Sequence, residues 1–305
     1  VSVGNLTVGG TGKTPLVGEI VARLSAAGHR PSVVSRGYGG RAGRGPLRVA
    51  ASPGIGLGPA VTGDEPWMLA TRFPGVPVLV GSDRYRGVLA AAEDGAGVAV
   101  LDDGFQHRRL ARDLDIVSLS AERPFGNGRL LPAGPLREPG TSLRRADLIV
   151  FVGGDGTDPT PEEFSALGLV PRFGILRARR RPVGFAGASG EPAPRPERAV
   201  AFCGIGDPSS FRRAMESLGV ALAEFVGFPD HHRFSGTEIA ALLDRARREE
   251  APLVTTEKDL ARLHDHLRGS PLAERLLALR IELEFSDPAP LARALEETLR
   301  KGDGR

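Results

Sequence analysis

The sequence predicts an α/β protein: a parallel sheet flanked by helices, with a second, smaller α/β domain behind it. Three observations lead there. A glycine-rich segment sits between a short apolar run and an amphipathic helix, at Thr7-Val8-Gly9-Gly10-Thr11-Gly12-Lys13-Thr14. Short, continuously apolar runs then alternate with helical and loop segments, the pattern of strands buried on both faces and joined by crossover helices. From about residue 169 the texture changes, and a fresh set of apolar runs and amphipathic stretches begins near residue 199.

In chain order, residues 1–3 form the end of a strand that feeds the glycine-rich loop. Leu16, Val17, Ile20, Val21 and Leu24 recur at helical spacing, and Gly28 stops the pattern. Further strands are expected at 32–34, 76–80, 98–101, 116–119 and 148–152. Together with the loop they define a P-loop NTPase-like parallel sheet flanked by helices, assigned to residues 1–170. The basic run 177–181 and the Gly, Ala and Pro-rich stretch 184–196 suggest a linker over 171–198. The smaller α/β domain over 199–305 has expected strands at 199–203, 221–226, 253–255 and 281–285, and helices at 210–218, 237–249 and 288–301. No repeat of fixed period is present.

Composition narrows the function classes. The 305 residues are 41% hydrophobic and 25% charged, the balance of a globular protein. The net charge of +3 and the isoelectric point of about 9.5 favour anionic partners without selecting one. A single cysteine, Cys203, excludes an intramolecular disulfide and a cysteine-built metal cluster. No apolar run approaches the roughly 18 residues that cross a bilayer. A strand feeding such a loop normally has about five or six residues, so the short run before Gly4 leads to the expectation that the natural chain begins further upstream.

The loop is the strongest chemical signal. Backbone N–H groups and a helix N-terminus converge there on an anion, and glycines allow close approach to phosphates. Gly9, Gly10, Thr11, Gly12, Lys13 and Thr14 are therefore the expected ATP-binding residues, with Lys13 reaching the β- and γ-phosphates and the Thr14 hydroxyl available to magnesium. Thr7 occupies the position where the strict pattern has glycine. The strand 98–101 ends in Asp102-Asp103, placed to hold Mg²⁺, which takes only one or two carboxylates, so one of the two aspartates is expected to act indirectly. Asp64-Glu65 opens a further helical stretch; the pair suits either a helix cap or a catalytic base beside a magnesium-linked carboxylate. Arg36, after the next strand, could reach phosphate or stand on a flexible turn. Gly204-Ile205-Gly206 lacks the third glycine of a dinucleotide fingerprint and reads as a plain turn. Thr256 to Asp259 reads as a capped helix start, and His264 and His266 as exposed.

These motifs occur together and in order: Gly4 to Pro15, Ser35-Arg36-Gly37-Tyr38-Gly39, Gly63-Asp64-Glu65-Pro66, Leu101-Asp102-Asp103-Gly104-Phe105-Gln106-His107, Phe125-Gly126-Asn127-Gly128, Leu131 to Glu138, Asp230-His231-His232 and Thr255 to Asp259. The combination resembles the tetraacyldisaccharide 4'-kinases of lipid A biosynthesis over nearly the whole chain. The resemblance implies ATP- and Mg²⁺-dependent phosphorylation of the 4'-hydroxyl of an acylated glucosamine disaccharide 1-phosphate, giving lipid IVA at the cytoplasmic face of the bacterial inner membrane. It also implies an N-terminal membrane anchor, which is expected upstream of Val1, and peripheral contact with the membrane surface for the residues that follow. Nucleic acid is not an expected partner. Asp64 is the implied base, assisted by a histidine, taken as His231 over His232, with Lys13 steadying the transferred group. Thr14, Glu65, Asp102 and Asp103 are the metal candidates. Arg36, Gln106, His107, Arg129 and Arg137 are the candidate substrate contacts. With Asp64 assigned to 1–170 and His231 to 199–305, a site in the cleft between domains, completed by closure, is expected. The competing reading is a switch ATPase that regulates a protein partner; such proteins commonly carry an extra lysine early in the loop, and Thr7 to Gly10 contain none.

Overall fold

The computed structural model describes residues 1–49, 57–153 and 168–302. The chain forms two compact units that interleave along the sequence: Val1–Arg36, Asp83–Arg180 and Leu283–Arg305 make the first, and Gly37–Ser82 with Arg181–Glu282 make the second. This differs from the expected succession of 1–170, a linker at 171–198 and 199–305. The supposed linker contains the strand Ile175–Ala186. Its arginines disguise a period of two: Leu176 and Ala178 are buried while Arg177 and Arg179 point the other way.

In the first unit the strand Ser2–Gly4 lies between Val98–Asp102 and Asp115–Ser120, both parallel to it. Pro31–Ser35 extends the sheet on one side, and Leu148–Val152 followed by Ile175–Ala186 extends it on the other, again in parallel. The central strands are largely apolar because both faces are covered: Val33, Val100, Ile116, Val117, Ile149 and Phe151 are fully buried. The helix Lys13–Ala26 buries Leu16, Val17, Ile20, Val21 and Leu24, so the helical spacing in the sequence is its core face. It ends where Gly28 takes a φ of 81° and His29 N–H donates to the Leu24 carbonyl. The helix Arg84–Glu93 is capped by Asp83, whose side chain accepts from the Arg86 N–H. No helix among the described residues is long and apolar enough to cross a membrane.

In the second unit Ala221–Gly227, Arg198–Cys203, Leu253–Thr256 and Leu276–Phe285 are parallel neighbours in that order. The helix Gly236–Arg248 starts with a complete capping box between Ser235 and Glu238. The segment Gly37–Ser82 belongs here because its helix Asp64–Arg72 inserts Trp67, fully buried, into a core with Val200, Phe202, Phe234, Leu253 and Leu260. An indole of this size removes some 150–250 Å² from water, which outweighs sequence proximity in fixing where the segment packs.

Candidate active site

The first cluster of candidate residues surrounds the loop that ends the strand Ser2–Gly4. Asn5 is fully buried, and its amide donates to the Thr7 carbonyl at 2.6 Å and to the Thr11 hydroxyl at 3.0 Å, tying the loop from inside. Ser118 donates to the Thr11 carbonyl from the neighbouring strand. Gly9 and Gly12 have φ of 109° and 82°, and a Cβ on Gly12 would come within 2.7 Å of Val152. Thr7, the departure from the strict pattern, is bridged to Leu136 on a second loop, while Val8 N–H donates to Pro135 and Arg137 N–H to Leu6. The helix Lys13–Ala26 begins directly after Gly12, so its free N–H groups and the positive end of its dipole face the loop.

Register places the acid pair beside this loop: Val3 faces Asp102. Asp102 is 2% exposed and accepts from the Ser35 hydroxyl at 3.0 Å. Asp103 has a φ of 56°, rare outside glycine, and its carboxylate accepts from Arg137 at 2.8 and 2.9 Å with Lys13 Nζ at 3.5 Å. Burial pushes the Asp103 carboxyl up, but Lys13 and Arg137 together hold it below the usual carboxylate range. Arg84, 6% exposed, shares this neighbourhood: burial and then Arg36 lower its pKa, while Asp103 and Asp102 act in the opposite sense. Sequence reading passed over Arg84; its position in the first turn of a helix that follows a strand was the available signal.

The other expected contacts in this unit fall into three groups. Gln106 braces the loop, donating to the Asn5 carbonyl at 2.9 Å, and His107 is half-buried with its pKa lowered by burial and by Arg84. Arg36 and Arg129 are exposed. Arg137 binds Asp103 directly. Arg180, outside the expected set, donates to the Gly10 carbonyl at 3.2 Å and brings a cation to the crest of the loop.

A second cluster lies in the second unit, built around Asp64 and His231. Both residues belong to this unit, which overturns the expectation that they sit in different domains; the burial of Trp67 three residues after Asp64 is the physical reason. Asp64 is the first residue of its helix rather than its cap, which is Gly63. Its Oδ2 accepts from Arg262 Nε at 3.0 Å. Arg262 Nη2 lies 3.0 Å from His231 Nδ1, and Nη1 donates to the Gly204 carbonyl at 2.7 Å and to Asp259 at 2.9 Å. Asp259, fully buried, accepts in turn from the Gly204 N–H and the Thr256 hydroxyl.

The two adjacent histidines differ. His231 is exposed, with a φ of 59°, and reaches Arg262. His232 stacks on Phe228 with ring centroids 4.7 Å apart and bonds Glu238 of the capping box at 3.0 Å, which makes it part of the packing. Glu65 also lies in the second unit, half-exposed, whereas Thr14, Asp102 and Asp103 lie in the first. His264, expected to be exposed, is 3% exposed: its ring meets Trp67 edge-on at 5.2 Å, and a Cβ on Gly58 would touch it.

A glycine-rich loop between a parallel strand and a helix, with a lysine and an acid pair beside it, defines a P-loop nucleotide-dependent phosphotransferase. The family model for LpxK, tetraacyldisaccharide-1-P 4'-kinase, matches residues 1–300, and the chain belongs to that family. It is 44% identical to the tetraacyldisaccharide 4'-kinase of Syntrophus aciditrophicus, over 86% of this chain and 75% of the relative. It is 42% identical to that of Bradyrhizobium diazoefficiens, over 100% of this chain and 86% of the relative. The crystal structure of the "apo" form of LpxK from Aquifex aeolicus in complex with ATP superposes with a TM-score of 0.74 at 32% identity, covering 98% of this chain and 87% of that one.

Proposed function

We propose that this chain transfers the γ-phosphate of ATP to the 4'-hydroxyl of a tetraacylated glucosamine disaccharide 1-phosphate, giving lipid IVA. The observation that carries the reading is the family match over residues 1–300, which includes both clusters of candidate residues. The loop Gly9 to Thr14 cradles the phosphates, Lys13 and Arg137 neutralise charge at the transferred group, and Asp64 accepts the proton of the attacking hydroxyl. The new P–O bond forms to the 4'-oxygen as the bond to the β-phosphate oxygen breaks, and ADP leaves with that electron pair. Little covalent chemistry falls to the protein, so positioning and charge neutralisation carry the rate.

The oxygen donors Thr14, Asp102 and Asp103 fit a hard cation. Among the described residues no cluster of three or more metal-binding side chains exists, in keeping with an ion that retains waters and phosphate oxygens. Bound there, Mg²⁺ would neutralise phosphate charge; Glu65 is a further candidate. Arg36, Gln106, His107 and Arg129 are proposed to meet the anionic substrates. Val8, Leu130 and Leu131 are each about half exposed, and the bridges of Thr7 and Leu130 to Leu136 bring their segments together, which supports apolar contact with acyl chains at the cytoplasmic face of the inner membrane.

The test is incubation with γ-labelled ATP, magnesium and the lipid disaccharide 1-phosphate in mixed micelles. Label in the lipid is expected. Label released only as inorganic phosphate would favour the switch ATPase instead.

A further inference from the structure

We propose that Arg262 is the positioning residue of the acceptor side, a single guanidinium that holds the Asp64 carboxylate and the His231 ring in register and gives each its role. The inference rests on Asp64 being the proton acceptor and His231 its assistant.

The side chain of Arg262 is 6% exposed, and all three of its nitrogens are engaged. One edge is anchored: Nη1 donates to the Gly204 carbonyl and to the fully buried Asp259, itself fixed by the Gly204 N–H at 3.0 Å and the Thr256 hydroxyl at 2.8 Å. With that edge fixed, the planar fork dictates where Nε and Nη2 point, and they meet Asp64 and His231, each at 3.0 Å. Four elements of the chain thus converge on one rigid group: the start of the helix Asp64–Arg72, the turn at Gly204, the turn at His231 and the helix Glu257–Arg262.

The contact with His231 fixes a tautomer. A guanidinium has five donors and no acceptor, so His231 Nδ1 must accept, and the ring proton of the neutral imidazole resides on Nε2. His231 therefore presents an N–H towards its surroundings, with Asp230 Oδ2 3.9 Å from Nε2. With Nδ1 engaged by Arg262, the acceptor left for the substrate hydroxyl is on Asp64. The hydroxyl proton goes to Asp64, whose Oδ1 takes no hydrogen bond from a described residue. The His231 backbone is held in the left-handed region, where a non-glycine residue persists only if its surroundings over-determine it. Lysine in place of Arg262 would retain the charge near Asp259 but has one nitrogen, which cannot address the four partners in a plane.

The experiment uses the full chain carrying R262K, with R262Q alongside. R262K keeps a cation for buried Asp259, and its folding is checked by thermal melt. Expected is a KM for ATP within about two-fold of the parent and a kcat lowered by roughly 10- to 100-fold, the scale of a misplaced catalytic group. Long-range ¹H–¹⁵N spectra, with His231 assigned by H231Q, are expected to show a pyridine-like Nδ1 and a pyrrole-like Nε2 in the parent, and averaged tautomers in R262K. A protonated Nδ1 in the parent overturns the inference with no variant needed. So does a folded R262K enzyme with either parental kcat or unmoved His231 nitrogens. D64A separates the two levels: a D64A enzyme with near-normal turnover removes the underlying assignment of the base, whereas an inactive D64A beside an unaffected R262K removes only the role of Arg262.

Discussion

Asp103→Asn isolates the charge beside the phosphate-binding loop that Lys13 and Arg137 surround. Asparagine is isosteric and tolerates the left-handed backbone that Asp103 adopts, so the substitution removes charge without adding strain. Arg137 lies 2.8 Å away and Lys13 3.5 Å away, with all three side chains between 13% and 27% exposed. At an effective dielectric of about 20 the gross attractions are roughly 6 and 5 kcal/mol, and desolvation of three partly buried ions offsets most of that. A net loss of about 2 kcal/mol is expected at neutral pH, or roughly 4–8 °C in melting temperature for a unit of about 150 residues. The native carboxyl sits below its unfolded value because Lys13 and Arg137 outweigh burial. The stabilisation is therefore complete above the unfolded pKa of about 3.9 and is lost as pH falls through the native value. Calorimetry without nucleotide at about pH 7.5 and again below about pH 3 should show the gap between parent and D103N narrowing with acid. A gap under about 0.5 kcal/mol at neutral pH, or one that widens on acidification, would refute the reasoning.

Lys13→Ala is expected to raise the KM for ATP and lower kcat together, while Asp64→Ala keeps nucleotide affinity and loses at least about 100-fold in kcat; steady-state kinetics with ATP binding by calorimetry separates the two. His231→Ala should lower kcat with little change in melting temperature. His232→Ala should do the reverse, because its ring is stacked on Phe228 and bonded to Glu238. Cys203 is fully buried, and burial, aided by Asp259, pushes its thiol up to about 11, so a thiol reagent at pH 8 should leave the folded protein unlabelled and react only on unfolding.

The parts of the fold that sequence exposed are those whose signal is local. Strands such as 148–152 are buried on both faces, so every residue is apolar, and Leu16 to Leu24 mark a helix by spacing alone. The loop is legible because phosphate binding demands glycines and a lysine at fixed offsets. What stayed hidden depends on where distant segments meet. Nothing near Trp67 announces that it packs with Phe202 and Phe234, so the interleaving of the units and the grouping of Asp64 with His231 were missed. Arg262 looks like the solvated end of a short helix until Asp259, Gly204, Asp64 and His231 are seen around it. His264 misled for the converse reason: a polar stretch of sequence places one ring against Trp67.

The position of the transferred phosphate is read by ³¹P–¹H correlation spectroscopy of the product made from ATP and the lipid disaccharide 1-phosphate. Transfer to the 4'-hydroxyl gives a new phosphomonoester signal correlated with H4' of the distal glucosamine, beside the unchanged 1-phosphate. A new phosphorus signal correlated with any other carbon-bound proton, or a conversion of the 1-phosphate to a diphosphate, would contradict it.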